Sequence, residues 1–408
     1  MVLSIRKAVC SGVLVWLGLA SGCGGGGGSN SESADSSGTS ACAAYAGTAV
    51  NFTVNDTGQT GCFDADGKVI SCPAAGADFR GQDAQYDTST PRFATCDDSV
   101  VVDQNTGLRW QKAHNERVSY ADAYSACAGL TLGGYSDWRL PTIKELISIV
   151  NFSGTQDDAS STSPSNPYAF SDYFDIAYST DTELGSLTGT HSRQMMGQTW
   201  SATTRPDVPE MNYFYNFLDG HLKSQYTNNA AVTLDYRCVR GEENKFENTL
   251  TDNGNGTVTD SATGLMWQQS NGYDSMASSY QFSWKNALAY CEDLSLGSHD
   301  DWRLPDVKEL QSIVDYSNET DAINTAVFTQ TIVPGTGPFF WSSTTYEEAP
   351  GFANYVCFGH CWNYTMTADI HGPGAQRSEP KYDNGHLPTS LGDQEDLVQA
   401  YDYVRCVR

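Results

Sequence analysis

The sequence predicts an α+β protein: two tandem copies of one disulfide-stapled domain, preceded by a small β-rich module. Three observations carry this. The pentapeptide Asp-Trp-Arg-Leu-Pro occurs twice, at Asp137 to Pro141 and Asp301 to Pro305, each time leading into a short amphipathic segment containing Lys-Glu-Leu. A repeat this literal marks two copies of one structural unit. Within each copy, strand-like runs with glycine turns sit beside two brief helical stripes rather than alternating as βαβ units. Finally, of twelve cysteines, Cys10 and Cys23 lie in the N-terminal segment. The ten that remain are an even set, as expected of disulfides in an exported chain.

With 408 residues the chain has room for two or three domains, each with its own core. A 39% hydrophobic and 12% aromatic composition suits globular domains. The net charge of −26, from 49 acidic against 23 basic residues, argues against binding nucleic acid or an anionic membrane surface, both of which need basic patches.

At the N-terminus, Arg6 and Lys7 precede the apolar stretch Val9 to Leu19. That stretch is shorter than the roughly 20 residues of a membrane span and reads as a signal peptide over 1–22. Leu19-Ala-Ser-Gly-Cys23 resembles a bacterial lipobox, which makes Cys23 the expected lipidation site and residues 23–41, rich in Gly and Ser, a flexible tether. Gly24 after the lipid cysteine points to the outer membrane. The expected location is therefore exported and lipid-anchored, with membrane contact only through the lipid.

Residues 42–91 form the predicted small module. Cys62 and Cys72 flank an Asp-Ala-Asp-Gly turn and are expected to clasp a hairpin, leaving Cys42 to pair with Cys96. Asp64, Asp66 and Gly67 lack the later ligands of a calcium loop and read as a turn.

The repeats are placed at 92–240 and 246–408. Each opens with strand, glycine turn, strand, through Thr106-Gly-Leu-Arg-Trp110 and Thr263-Gly-Leu-Met-Trp267. A helix follows, with Tyr120, Ala123, Cys127 and Leu130 on one face, matched by Trp284, Ala287, Cys291 and Leu294. After the pentapeptide, Thr142 with Glu145 and Asp306 with Glu309 have capping-box spacing. Leu146, Ile149 and Val150, with their counterparts Leu310, Ile313 and Val314, make the buried stripe. Arg139 and Arg303 are expected to hold carbonyls or a carboxylate as structural clamps. Trp200-Ser-Ala-Thr203 and Trp341-Ser-Ser-Thr344 are strands, and each copy closes on Arg-Cys-Val-Arg. The matching positions pair Cys127 with Cys238 and Cys291 with Cys406. Cys357 and Cys361 are left either joined locally or free.

Together these motifs resemble the Lcl C-terminal domain family, a bacterial domain long without an assigned function. The resemblance implies a C-type lectin-like fold of short helices on small, twisted antiparallel sheets. It carries no agreed catalytic residues, so no catalytic site is expected and the chain is not read as an enzyme. The family's similarity to formylglycine-generating enzymes directs attention to Cys357-Phe-Gly-His-Cys361, but an exported Cys-x-x-x-Cys is more simply a local disulfide.

The copies differ in their loops, and long loops on a fixed scaffold are where binding function resides. Tyr168, Phe170 and Tyr173 in the first copy, with Phe174 and Tyr178 beside them, and Trp362 and Tyr364 in the second, with His371 and His386 nearby, are the expected ligand-binding residues. The expected role is a binding or adhesion module for an extracellular glycan; the alternative is a scaffolding lipoprotein whose partner is an envelope protein. No cofactor is expected. Asp252, Asn255 and Asp260 could hold calcium, but Asn-Gly between strand residues reads first as a hairpin turn.

Overall fold

The computed structural model describes residues 52–86, 89–156, 166–176, 197–391 and 395–408. The expected signal peptide, tether, Cys23, Cys42 and Tyr178 lie outside them. Among the described residues no helix is long and apolar enough to cross a membrane.

The N-terminal module contributes one hairpin, β1 (Cys62–Phe63) and β2 (Val69–Ile70), closed by the Cys62–Cys72 disulfide. Gly67 turns it with a φ of 81°, and a Cβ there would meet the Gly351 amide of the second repeat. Cys96 is also disulfide-bonded.

The first repeat runs β3 (Phe93–Asp97), β4 (Val100–Asp103), β5 (Arg109–Gln111), β6 (Asn115–Val118), α1 (Tyr120–Ala128) and α2 (Ile143–Ser148). It continues with β7 (Gln198–Thr204), β8 (Met211–Asn216), β9 (His221–Tyr226), β10 (Leu234–Tyr236) and β11 (Val239–Arg240). Two sheets result, with strand orders β6-β10-β7-β8-β9 and β11-β5-β4-β3. All pairings are antiparallel except β10 with β7. The sheets are otherwise antiparallel, as expected; the closing strand returns through long connections, which leave its direction free.

The second repeat follows the same path through β12 (Leu250–Asp252), β13 (Thr257–Asp260), β14 (Met266–Gln268), α3 (Trp284–Glu292), α4 (Val307–Ser312), β15 (Phe339–Thr345), β16 (Phe352–Cys357) and β17 (Gln376–Pro380). The short ribbon β18 (Ser390–Leu391) and β19 (Asp396–Leu397) is added before the end. Its closing segment is held by single bridges: Val407 pairs with Trp267 and Arg303, as Val239 pairs with Trp110 and Arg139. The parallel contact recurs between Phe340 and Tyr403.

Disulfides Cys127–Cys238 and Cys291–Cys406 tie α1 and α3 to their closing strands. Trp110, Trp200, Trp267 and Trp341 are fully buried, as are Leu146 and Leu310 on the stripes of α2 and α4. Both predicted capping boxes form, at Thr142 with Glu145 and Asp306 with Glu309, and they satisfy amides that a helix start otherwise leaves open. The two repeats and the N-terminal module pack into one unit.

Candidate functional site

The pentapeptide is used identically in both repeats. Asp137 and Asp301 bind Arg240 and Arg408, the last arginine of each repeat, through two oxygens each. Trp138 and Trp302 donate their indole N–H to the Leu132 and Leu296 carbonyls. Arg139 clamps Glu145 at 2.7 and 2.6 Å, and Arg303 clamps Glu309 at 2.6 Å twice. Pro141 and Pro305 offer their carbonyls to β7 and β15. The carboxylate, indole N–H, guanidinium and proline carbonyl of the motif all hydrogen-bond inside their own repeat, so the motif is scaffold.

Between the repeats, α2 and α4 face each other with a reciprocal exchange. Lys144 donates to the Ser312 carbonyl at the end of α4 (2.8 Å), and Lys308 donates to the Ser148 carbonyl at the end of α2 (3.3 Å). Each ammonium thus caps the partner helix at its negative end. Burial pushes both lysines down to about 8, against the pull of nearby carboxylates.

The segment Phe52–Cys62 threads this junction. The Gln59 amide donates to Phe152 O of the first repeat (3.1 Å) and accepts from Thr345 N of the second (3.1 Å). Asn55 reaches Asp103 (2.9 Å), and the Asp56 carbonyl accepts from Lys308 (3.0 Å). Asp83 accepts from Thr57 and Thr344, and burial raises its carboxyl to about 7.

Most of the loop residues expected to bind ligand do something else. Tyr168 is fully buried, roofed by Gly154 and Gly220 and stacked on Tyr346 of the second repeat at 6.3 Å. It presents no face to a ligand. Phe170 and Tyr173 pack on Phe93 at 5.3 and 5.6 Å, and Lys308 lies over the Phe170 ring. Phe174 is buried beneath Arg237. Ser153 and Gln156 bind Glu347 and Glu348 across the junction. The physical reason for the correction is that these rings are used in packing: Tyr168 reaches across to the second repeat, and Phe170, Tyr173 and Phe174 pack on Phe93 within the first.

The second repeat's insertion reciprocates. Arg205 of the first repeat donates to Asp369 O (3.0 Å), and the Tyr213 hydroxyl to Pro373 O (2.6 Å). His371 is buried against Asp396 at 2.6 Å, and burial, with Arg377 adding to it, pushes its imidazole down to about 4. Trp362 is half-buried against His360, and Tyr364 and His386 are exposed. Cys357 and Cys361 form a disulfide with both residues buried, so neither presents a free thiol.

The calcium candidates are spent on a turn. Asp260 accepts from Asn248, Thr249, Ala262 and Thr263, while Asp252 and Asn255 accept from the Gly254 and Thr257 amides. Asp252 pairs opposite Val258 across the hairpin. Among the described residues no three His, Cys, Asp or Glu side chains converge as a metal would require.

What the tandem arrangement does create is a cleft of about 800 Å3 at one end of the α2–α4 contact. Thr142 to Lys144 and Thr203 form one wall, the linker from Glu243 to Leu250 the floor, and Ile313 to Ser317 with Asn324 the other wall. Glu243, Glu247 and Asp315 supply carboxylates, Asn244, Asn248 and Asn324 amides, and Phe246 and Tyr316 flat rings. None of the expected ligand-binding residues among those described lines it. The repeated Lys-Glu-Leu was the available signal, because a lysine beside a capping glutamate on a short buried helix must find an acceptor elsewhere.

Fold and site together define a tandem-repeat, disulfide-stapled α+β protein whose principal cleft lies between its repeats. The Lcl C-terminal domain model matches residues 99–240 and 256–378, and the chain belongs to that family. No curated protein and no solved structure matches the chain. The second family match ends at 378, whereas the second repeat closes only at Val407. The disulfides fit an oxidising, exported location.

Proposed function

We propose that the protein is a lipid-anchored binding or adhesion module of the cell envelope, held at the outer membrane through Cys23, with two C-type lectin-like repeats presenting an uncharged extracellular glycan to the cleft between them. The observation that supports this most is the cleft's mixture of groups. Carboxylates and amides accept and donate to sugar hydroxyls, and Phe246 and Tyr316 offer faces for the apolar side of a sugar ring. Sulfated or otherwise anionic glycans fit poorly with three carboxylates on a chain of net charge −26. The same carboxylates favour a second reading, an envelope protein with a basic segment. No catalytic role is assigned, since the one cysteine pair suggestive of chemistry is closed and buried.

Residues 39–408, the compact unit, would be screened on an array of uncharged and anionic glycans. Binding to an uncharged glycan that weakens with Glu247→Ala and Asp315→Ala is expected. Capture of basic envelope proteins with no glycan binding would replace this reading by the second. Loss of membrane association in Cys23→Ser tests the anchor.

A further inference from the structure

The second repeat has another insertion, between Trp267 and Trp284, where the first repeat runs more directly from Trp110 to Tyr120. Unlike the two insertions that meet at the junction, this one faces water. Asp274 and Ser279 exchange backbone hydrogen bonds at 2.7 and 3.1 Å, and the Asp274 carboxylate accepts from the Met276 and Ala277 amides, so the loop has a defined shape. Its tip carries Met276, 97% exposed, and Tyr273, 45% exposed and 4.8 Å from Tyr280. Its base is fastened to the closing segment by Gly272 N to Val404 O and by the Gln281 amide to Tyr401 O, at 2.8 and 2.7 Å.

Between this loop and the closing segment runs a groove of about 360 Å3. It is lined by Ser279, Gln281, Thr336, Gln399 and Tyr401 together with Gly335, Leu397 and Val398, and none of these residues carries a carboxylate, ammonium or guanidinium side chain. Such a neutral patch is notable on a chain carrying 49 acidic residues. Tyr401 is 43% exposed, and Ala400 beside it takes a φ of 56°, an unfavourable conformation for a residue with a Cβ that aims the tyrosine outwards. Ser278, next to the lining residue Ser279, is also left-handed at 53°. Gln399 is held by Gly337, whose amide donates to its oxygen at 2.7 Å. The groove therefore offers a fixed aromatic face, fixed amides and no counter-charge. A charged ligand gains nothing there, while a pyranose ring has the apolar face and hydroxyl edge to use both features.

We propose that this groove is a second subsite for an uncharged sugar ring, Tyr401 stacking on the ring and the Gln281 amide meeting its hydroxyls, while Gln399, whose nitrogen already donates to the Gly337 carbonyl and Asp402, holds the wall in place. The proposal rests on the glycan-binding reading but not on the inter-repeat cleft, with which the groove shares no lining residue. The test is saturation-transfer NMR and titration of the full mature chain with short oligomers of glucose, mannose, galactose and N-acetylglucosamine. At least one should bind, with Tyr401→Ala weakening it about five- to tenfold and Tyr401→Phe leaving it nearly unchanged. An unaltered melting temperature would show that the alanine variant is folded; should it not fold, Gln281→Ala, which should also weaken binding, reads the same site. Oligomer binding that ignores groove variants but is lost with Glu247→Ala and Asp315→Ala would overturn the groove and leave the cleft reading standing. No binding of any oligomer would overturn both. Retained binding in the cleft variants, lost with Tyr401→Ala, would establish the groove alone.

Discussion

The two repeats use the same residues to solve the same problem and differ in how each treats its surroundings. Both bury an aspartate just before the closing cysteine, but one place apart: with Cys406 matching Cys238, Asp402 takes the place of Leu234, and Tyr403 that of Asp235. In the first repeat His114 lies 4.0 Å from Asp235. In the second, the Glu379 carboxyl hydrogen-bonds Asp402, burial holds both above the usual carboxylate range, and Gln399 donates to each. Glu379 Oε1 and Asp402 Oδ2 are buried and accept from no donor group among the described residues, so one carboxyl of the pair must keep its proton to bond the other. The closing segment thus buries its acid one place apart in the two repeats and gives each a different partner, an imidazole in the first and a second acid in the second. The lesson is that the shared motifs specify where the chain goes, and the unshared residues specify what each copy meets.

The largest effect should be common to both. The Cys127–Cys238 and Cys291–Cys406 bonds close loops with sequence separations of 111 and 115. Replacing either pair by alanines should cost about 3–5 kcal/mol in chemical denaturation, nearly equally. Cys357–Cys361, separated by 4, closes almost no loop, and its removal should cost far less of that entropic part. A large inequality between the two long-loop bonds would break the equivalence of the repeats.

The next effect should separate them. The Arg303–Glu309 pair is almost fully enclosed, with side-chain exposures of 10% and 1%, whereas Arg139 in the matching pair is 21% exposed. Glu309→Ala leaves a buried guanidinium without its partner and should cost about 3–5 kcal/mol. Glu145→Ala should cost less, because Arg139 can turn to water, though both lose half a capping box worth about 1 kcal/mol. Equal losses in urea denaturation would show that the junction protects both arginines alike.

The acid pair gives a pH signature confined to the second repeat. A folded pKa above the unfolded one means that the native state holds the extra proton. Stability from this pair is therefore greatest at or below the unfolded value of about 4 and is lost as pH rises towards the folded values. Amide exchange in 399–407 should quicken as pH rises above the unfolded carboxylate value of about 4, beyond the intrinsic chemical rate, and Glu379→Gln should abolish that excess. Exchange at 234–240 is the internal control; an equal excess there would remove the distinction.

Much of this was legible in the sequence, for physical reasons that can be named. Strand–turn–strand around Gly107 and Gly264, the capping boxes and the helix-to-strand disulfides follow from local rules and from having each motif twice. The fate of the loops was not legible. Tyr168 and Tyr401 are both loop tyrosines, yet one is sealed between repeats and the other stands in water, and only the three-dimensional packing separates them. Nor could Glu379 be matched with Asp402, since nothing local links an acid on β17 to one in the closing segment. The partners of Lys144 and Lys308 lie in the opposite repeat for the same reason.

The smallest expected effect concerns the first residue of the pentapeptide. Asp137 and Asp301 each bind the last arginine of their repeat, and in both cases that arginine hydrogen bond holds the carboxyl below its usual value. A lowered folded pKa contributes stability above the unfolded value and loses it as pH falls through the folded one. Yet the aspartates are 63% and 61% exposed, so water and salt screen the attraction. Asp137→Asn and Asp301→Asn should each cost no more than about 1 kcal/mol, and less still in high salt. Arg240 also lies over the Tyr135 ring at 3.7 Å, a support with no counterpart at Arg408 among the cation–aromatic contacts of the described residues. Asp137→Asn should therefore be the milder of the two, because Arg240 keeps its aromatic contact when the carboxylate is gone. Thermal denaturation of the two variants at low and high salt would measure this, and a greater loss in Asp137→Asn would contradict that ordering.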